Sequence, residues 1–114
     1  MATAALVMSA IVALLHFGFM IMETVGWEKM GRRFGLSKEE VKATKMLAAN
    51  QGIYNGAVAA TLLWALATGN TPAVMAMLVF VIVVGIFGAA TVKVTILVIQ
   101  SVPAAIALLL QYLA

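Results

Sequence analysis

The chain has 114 residues, of which 65% are hydrophobic and 10% charged, and its mean hydropathy is +1.13. An average soluble domain is about 45–50% apolar and about 25% charged, so this composition lacks the polar surface that covers a water-soluble globule and is too apolar for a disordered chain. The absence of cysteine excludes a disulfide scaffold, and the net charge of +3 is too localised to be a nucleic-acid footprint.

Ten of the eleven charged residues lie between Glu23 and Lys45, and the eleventh is Lys93. Residues 1–22, 46–92 and 94–114 carry no formal charge. A membrane helix needs roughly 20 apolar residues, so the outer stretches each hold one and the middle stretch holds two. The middle stretch is divided at Gly69-Asn70-Thr71-Pro72, a strong turn signal. The expected fold is an all-α membrane protein: a single domain of four transmembrane helices, over about 3–24, 44–68, 72–91 and 94–113, in an antiparallel up-down bundle. The apolar runs are continuous rather than alternating, which favours helices over a β-barrel. The first run is too long, and lacks the basic leader, for a cleaved signal peptide.

The first loop, 25–43, holds most of the basic residues and is expected to set the topology. The positive-inside rule places this loop and the turn at Lys93 in the cytoplasm, with both termini outside the inner membrane. Within the loop, Ser37 and Glu40 have the spacing of a capping box, so the second long helix is expected to begin near Lys38. Trp27 stands where an interfacial aromatic belongs.

Polar residues inside a membrane are costly and mark function. The first predicted helix carries His16 and Glu23, the second Asn50, Gln51, Tyr54 and Asn55, and the fourth Gln100 with Pro103 one turn later. A rise of about 1.5 Å per residue puts His16 about 10 Å deeper than Glu23, Asn50 to Asn55 about 7–15 Å in from Lys45, and Gln100 about 10 Å in from Lys93. Three helices thus bring polar groups to one level in the cytoplasmic half, where a shared ligand pocket is expected. Proline at 103 removes one backbone donor, so the carbonyl of Ile99 is expected to be freed. The same amides also serve as glue between membrane helices. Ala48, Gly52, Gly56 and Ala60 form a small-residue ladder, as do Gly85, Gly88, Ala89 and Ala90, and the two helices are expected to pack on each other. Homodimerisation through the same ladder is the alternative. One histidine, one plausible carboxylate and no cysteine make a poor metal site, so no metal or other cofactor is expected. Nucleophile motifs, phosphate loops and dinucleotide glycines are absent.

Three strings carry a resemblance: HFGFMIMETVGW from His16, LAANQGIYNG from Leu47, and GIFGAATVKVTILVIQSVPA from Gly85. In order along essentially the whole chain, they resemble the small bacterial membrane proteins grouped as domain of unknown function 1304. The resemblance implies a four-helix membrane protein and no particular activity. His16, Glu23, Trp27, Asn50, Gln51, Tyr54, Asn55, Gln100 and Pro103 are the positions that match it. The turn at Lys93 is less basic than the resemblance leads one to expect.

Three functions fit these residues. The first is binding or transport of a small polar or amphipathic molecule, or a lipid, at the polar level. The second is an accessory membrane subunit whose polar residues fix helix packing. The third is an intramembrane enzyme acting on a lipid, with His16 and Glu23 as acid and base across a bridging substrate. The first ranks highest and catalysis lowest, so no catalytic residue is assigned. Four short helices enclose little volume, so transport would call for a homodimer.

Overall fold

A computed structural model describes residues 2–114, and the described residues are helical with no strand. The helices are α1 (Ala2–Glu23), α2 (Trp27–Arg33), α3 (Lys38–Ala67), α4 (Thr71–Thr91) and α5 (Val102–Leu113), with a π-helical turn at Leu97–Ser101 leading into α5. Helices α1 and α4 are long and apolar enough to cross a membrane. The amides Asn50, Gln51 and Asn55 dilute the hydropathy of α3, and the apolar helix Leu97–Leu113 is shorter than a full span.

The local signals act through specific hydrogen bonds. The backbone N–H of Glu40 donates to Ser37 Oγ at 3.1 Å, and the N–H of Ser37 donates to Glu40 Oε1 at 2.9 Å. That reciprocal cap starts α3 at Lys38 and lowers the pKa of the exposed Glu40 carboxyl, chiefly through the backbone bond from Ser37. At the second turn, Asn70 Oδ1 accepts from the N–H of Ala73 at 3.2 Å, with Pro72 in the first turn of α4. Gly69 takes a positive φ of 65°, which lets the chain leave α3 sharply.

The loop expected over 25–43 contains a helix of its own. Helix α2 has Glu28 in its first turn and Arg32 and Arg33 in its last, charges that complement the helix dipole. It ends at Gly35, whose φ of 91° favours glycine, and the N–H of Leu36 returns to the carbonyl of Gly31 at 3.0 Å. Gly31 is buried against Val41, where a Cβ would come within 2.8 Å of the valine methyl, so α2 lies close on the first turns of α3.

The chain divides into two compact units, residues 14–59 and the residues up to Ala13 together with Ala60–Ala114. The first unit buries Phe19, Val41, Ala48 and Ala59 beside the polar residues His16 and Asn55. The second buries Val12, Leu62, Leu78, Val81, Ala104 and Ala107. In this second unit the π turn precedes Pro103: the N–H of Val102 reaches back five residues to the carbonyl of Leu97. Ile99 lies within this widened turn.

Each small-residue ladder has close neighbours within its own unit. Gly52 lies against Thr24, the carbonyl of Met20 and Glu23 Cβ, and Gly56 against the Met20 side chain, so this ladder accommodates the end of α1. Gly85 lies against Ser101 and Gln100, and Gly88 against Ile96, so the other accommodates the π turn and the residue before it. Spacing shows that close approach is possible, but it does not name the helix that approaches.

Candidate functional site

Unit 14–59 holds six of the seven residues expected in the site. Helix α1 runs to Glu23 and stops. Thr24 Oγ1 donates back to the carbonyl of Met20 at 2.6 Å, and the N–H of Gly26 donates to the carbonyl of Ile21 at 2.9 Å, turning the chain into α2. Because Gly52 and Gly56 have no side chains, α3 comes close enough for Asn55 Nδ2 to donate to Glu23 Oε1 at 2.5 Å. Asn55 is buried and Glu23 half-buried, and the amide satisfies one carboxylate oxygen. His16, two turns before Glu23, is 2% exposed and sits edge-to-face on Phe19 with ring centroids 5.1 Å apart.

The other three α3 residues are on the outside. Asn50, Gln51 and Tyr54 are exposed, Tyr54 at 64%. Gln51 and Asn55 are one helical turn apart, yet only Asn55 is buried. Gly52 is already level with Glu23, the last residue of α1, so α1 offers no further turn to cover Gln51. Gln100 belongs to the other unit, where its Cβ packs on Gly85 and the residue is partly exposed. The structure therefore brings Glu23 and Asn55 into contact, sets His16 in the same unit as a buried group, and leaves Asn50, Gln51 and Tyr54 turned outward.

Other polar contacts are not legible in the sequence. Trp27 Nε1 donates to Thr44 Oγ1 at 3.1 Å, tying α2 to α3 below the site. In the second unit, Gln111 Nε2 donates to the buried Ser9 Oγ at 3.1 Å, and Ser101 Oγ donates to the carbonyl of Ile82 at 2.9 Å. Serines are small enough to pass for packing residues, and only the opposed Gly85 marks Ser101 as a contact point. These bonds hold helices together. Lys45 and Glu28 form an exposed pair at 3.7 Å, which contributes little. Among the described residues, no three His, Cys, Asp or Glu side chains are placed to hold a metal ion. A shallow cleft in the second unit, lined in part by Ala5, Leu6, Ala65, Val74 and Gln111, has no titratable side chain on its walls.

These features define an all-helical protein with two helices of membrane-crossing length and a carboxylate–amide pair at the end of one of them. The model of the family described as protein of unknown function (DUF1304) matches residues 10–112, and the chain belongs to that family. It is also 32% identical over 92 residues to the uncharacterized protein YpaA of Lactococcus lactis subsp. lactis (strain IL1403), covering 75% of this chain and 77% of that one. No solved structure matches.

Proposed function

We propose that the chain crosses the membrane four times, through α1, α3, α4 and the π turn with α5, and binds a small polar or amphipathic molecule at the cytoplasmic-side polar level of α1 and α3. The span assignment rests on the uncharged stretches 1–22, 46–92 and 94–114 and on the concentration of basic residues between them. One observation carries the binding reading. Glu23 is the carboxylate at the very end of an apolar span, and it stays partly exposed while Asn55 donates to one of its oxygens. Packing alone would favour a fully satisfied group or none at that depth. Gln51, exposed on α3, supplies a further donor and acceptor, and the buried His16 and Asn55 belong to the same unit. The burial of His16 and Asn55 also fits a purely structural role for those two residues, as in an accessory subunit.

Native mass spectrometry of protein extracted with minimal detergent tests the binding. Wild-type protein is expected to carry a bound small molecule or lipid that is lost in both Glu23→Gln and Gln51→Ala, with the folded charge-state distribution retained. A bound species kept equally by all three proteins, or a wild-type protein without one, overturns the binding reading in favour of the accessory role.

A further inference from the structure

The outward faces of the long helices differ in kind. Between Ala4 and Ile21, the exposed residues of α1 are apolar, among them Leu6, Val7, Ile11 and Leu14. The exposed face of α4 from Ala76 to Ala90 is apolar, with Phe80, Val83 and Phe87 among its residues, and from Val98 to Leu109 the exposed residues are again apolar. Those surfaces match lipid chains. The outward face of α3 is mixed: Asn50, Gln51, Tyr54, Thr61 and Trp64 are exposed, with Trp64 at 56%, beside the apolar Met46, Leu47 and Ile53. Counting about 1.5 Å per residue from Lys45, Asn50 lies about 7 Å and Thr61 about 24 Å along the helix, so the polar face runs through most of a hydrocarbon layer about 30 Å thick. Primary amides facing lipid forgo hydrogen bonds that nothing in the hydrocarbon replaces.

We infer that this face of α3 packs against the same face of a second copy of the chain, with the two Asn50 amides hydrogen-bonded across the pair. The exposed positions Leu47, Asn50, Tyr54, Ala57, Thr61 and Trp64 alternate in steps of three and four. That 3.5-residue period is the seam of two helices in a left-handed pair. Ala57 and Thr61, in its middle, are small enough for backbones to approach. The amide suits a second copy as the occupant. Asn50 carries both a donor and an acceptor, so an identical side chain satisfies it reciprocally. Copies of one chain insert with the same orientation, because the same basic loop sets it. Their α3 helices therefore run parallel, and Asn50 meets Asn50 at equal depth across a two-fold axis. This rests on the membrane-spanning reading of α3 given above and is independent of whether a ligand binds.

The chain has no cysteine, so single substitutions report one position each. Ala57→Cys and Thr61→Cys are placed on the seam, and Val83→Cys on the apolar face of α4 serves as reference. Each is made as a mixture of two copies of different tag length and oxidised in the membrane with copper phenanthroline. The seam variants are expected to give a covalent dimer of mixed size several-fold more readily than Val83→Cys. Adding Asn50→Leu is expected to weaken the dimer by about threefold to tenfold, the range of one interhelical hydrogen bond in a membrane. If the seam cysteines are protected from a membrane-impermeant maleimide yet cross-link no better than Val83→Cys, the pairing is overturned. Cross-linking to a different membrane protein overturns the second copy as the occupant. Ready labelling of Ala57→Cys by the impermeant reagent in intact membranes instead overturns the spanning reading of α3 itself.

Discussion

Replacing Gly85 by leucine is expected to lower stability by about 3 kcal/mol, through overpacking and the loss of one interhelical hydrogen bond. A Cβ at this buried position meets Ser101 Oγ directly and stands 3.1 Å from the Ser101 backbone nitrogen and 3.2 Å from Gln100 Cβ. Two of these neighbours are main chain or attached to it, so the clash is relieved only by moving the π turn away from α4. That movement also pulls Ser101 Oγ from the carbonyl of Ile82. Thermal unfolding in detergent reads the change. Gly18→Ala is the matched control, because nothing lies within 4 Å of its added methyl. There, the gain in helix propensity is expected to stabilise by about 0.5–1 kcal/mol. Equal stability of Gly85→Leu and wild type would mean that α4 does not pack on the π turn through this glycine.

The second large effect concerns the Glu23–Asn55 pair. Asn55→Leu removes the donor and leaves a half-buried carboxylate oxygen without it, at an expected cost of about 1–3 kcal/mol. Glu23→Gln keeps an amide oxygen in the same place, so Asn55 still has an acceptor and the loss is expected to stay below about 1 kcal/mol. Combining Asn55→Leu with Glu23→Leu is expected to recover much of the first loss, since removing both partners leaves nothing unsatisfied. Chemical unfolding of wild type, Asn55→Leu, Glu23→Leu and the double leucine variant closes the cycle. If the two leucine substitutions add independently, the two side chains are not coupled. The distinction matters for function, because Glu23→Gln then changes charge at the site while the fold persists.

Several elements were readable from the sequence because they are decided within four or five residues. The capping box at Ser37 and Glu40 and the cap at Asn70 each need only a side chain and the backbone one turn away. The continuous apolar runs gave α1 and α4 to within a residue or so at each end. Helix α2 was missed because seven residues, WEKMGRR, are too few for periodicity, and the helix lies close on α3 through Gly31. The fourth run reads as one helix, whereas its start is a π turn whose geometry depends on Pro103 and on Ser101 meeting Ile82, a residue 19 positions away.

The candidate site was half legible for a related reason. Depth along a helix follows from counting, so His16, Glu23 and the Asn50–Asn55 run could be set near one level. Which of them turn inward depends on where the neighbouring helix ends. Helix α1 stops level with Gly52, so Asn55 finds Glu23 while Gln51 finds no partner on α1. Likewise the ladder of Gly52 and Gly56 announced a close approach, but only the fold assigned it to Met20. Serines 9 and 101, buried and bonded, gave no signal beyond their small size.

The proposed topology has four spans with the basic loop inside. Labelling of single cysteines in intact cells with a membrane-impermeant maleimide addresses this directly. Thr68→Cys at the end of α3 and Ala114→Cys at the end of the chain are expected to react from outside. Lys29→Cys and Lys93→Cys, both at exposed positions, are expected to react only after the membrane is permeabilised. Reaction of Lys93→Cys from outside together with Thr68→Cys would show that α4 does not cross. Protection of Ala114→Cys until permeabilisation would show that the π turn and α5 do not cross. Either result would contradict the four-span protein proposed here.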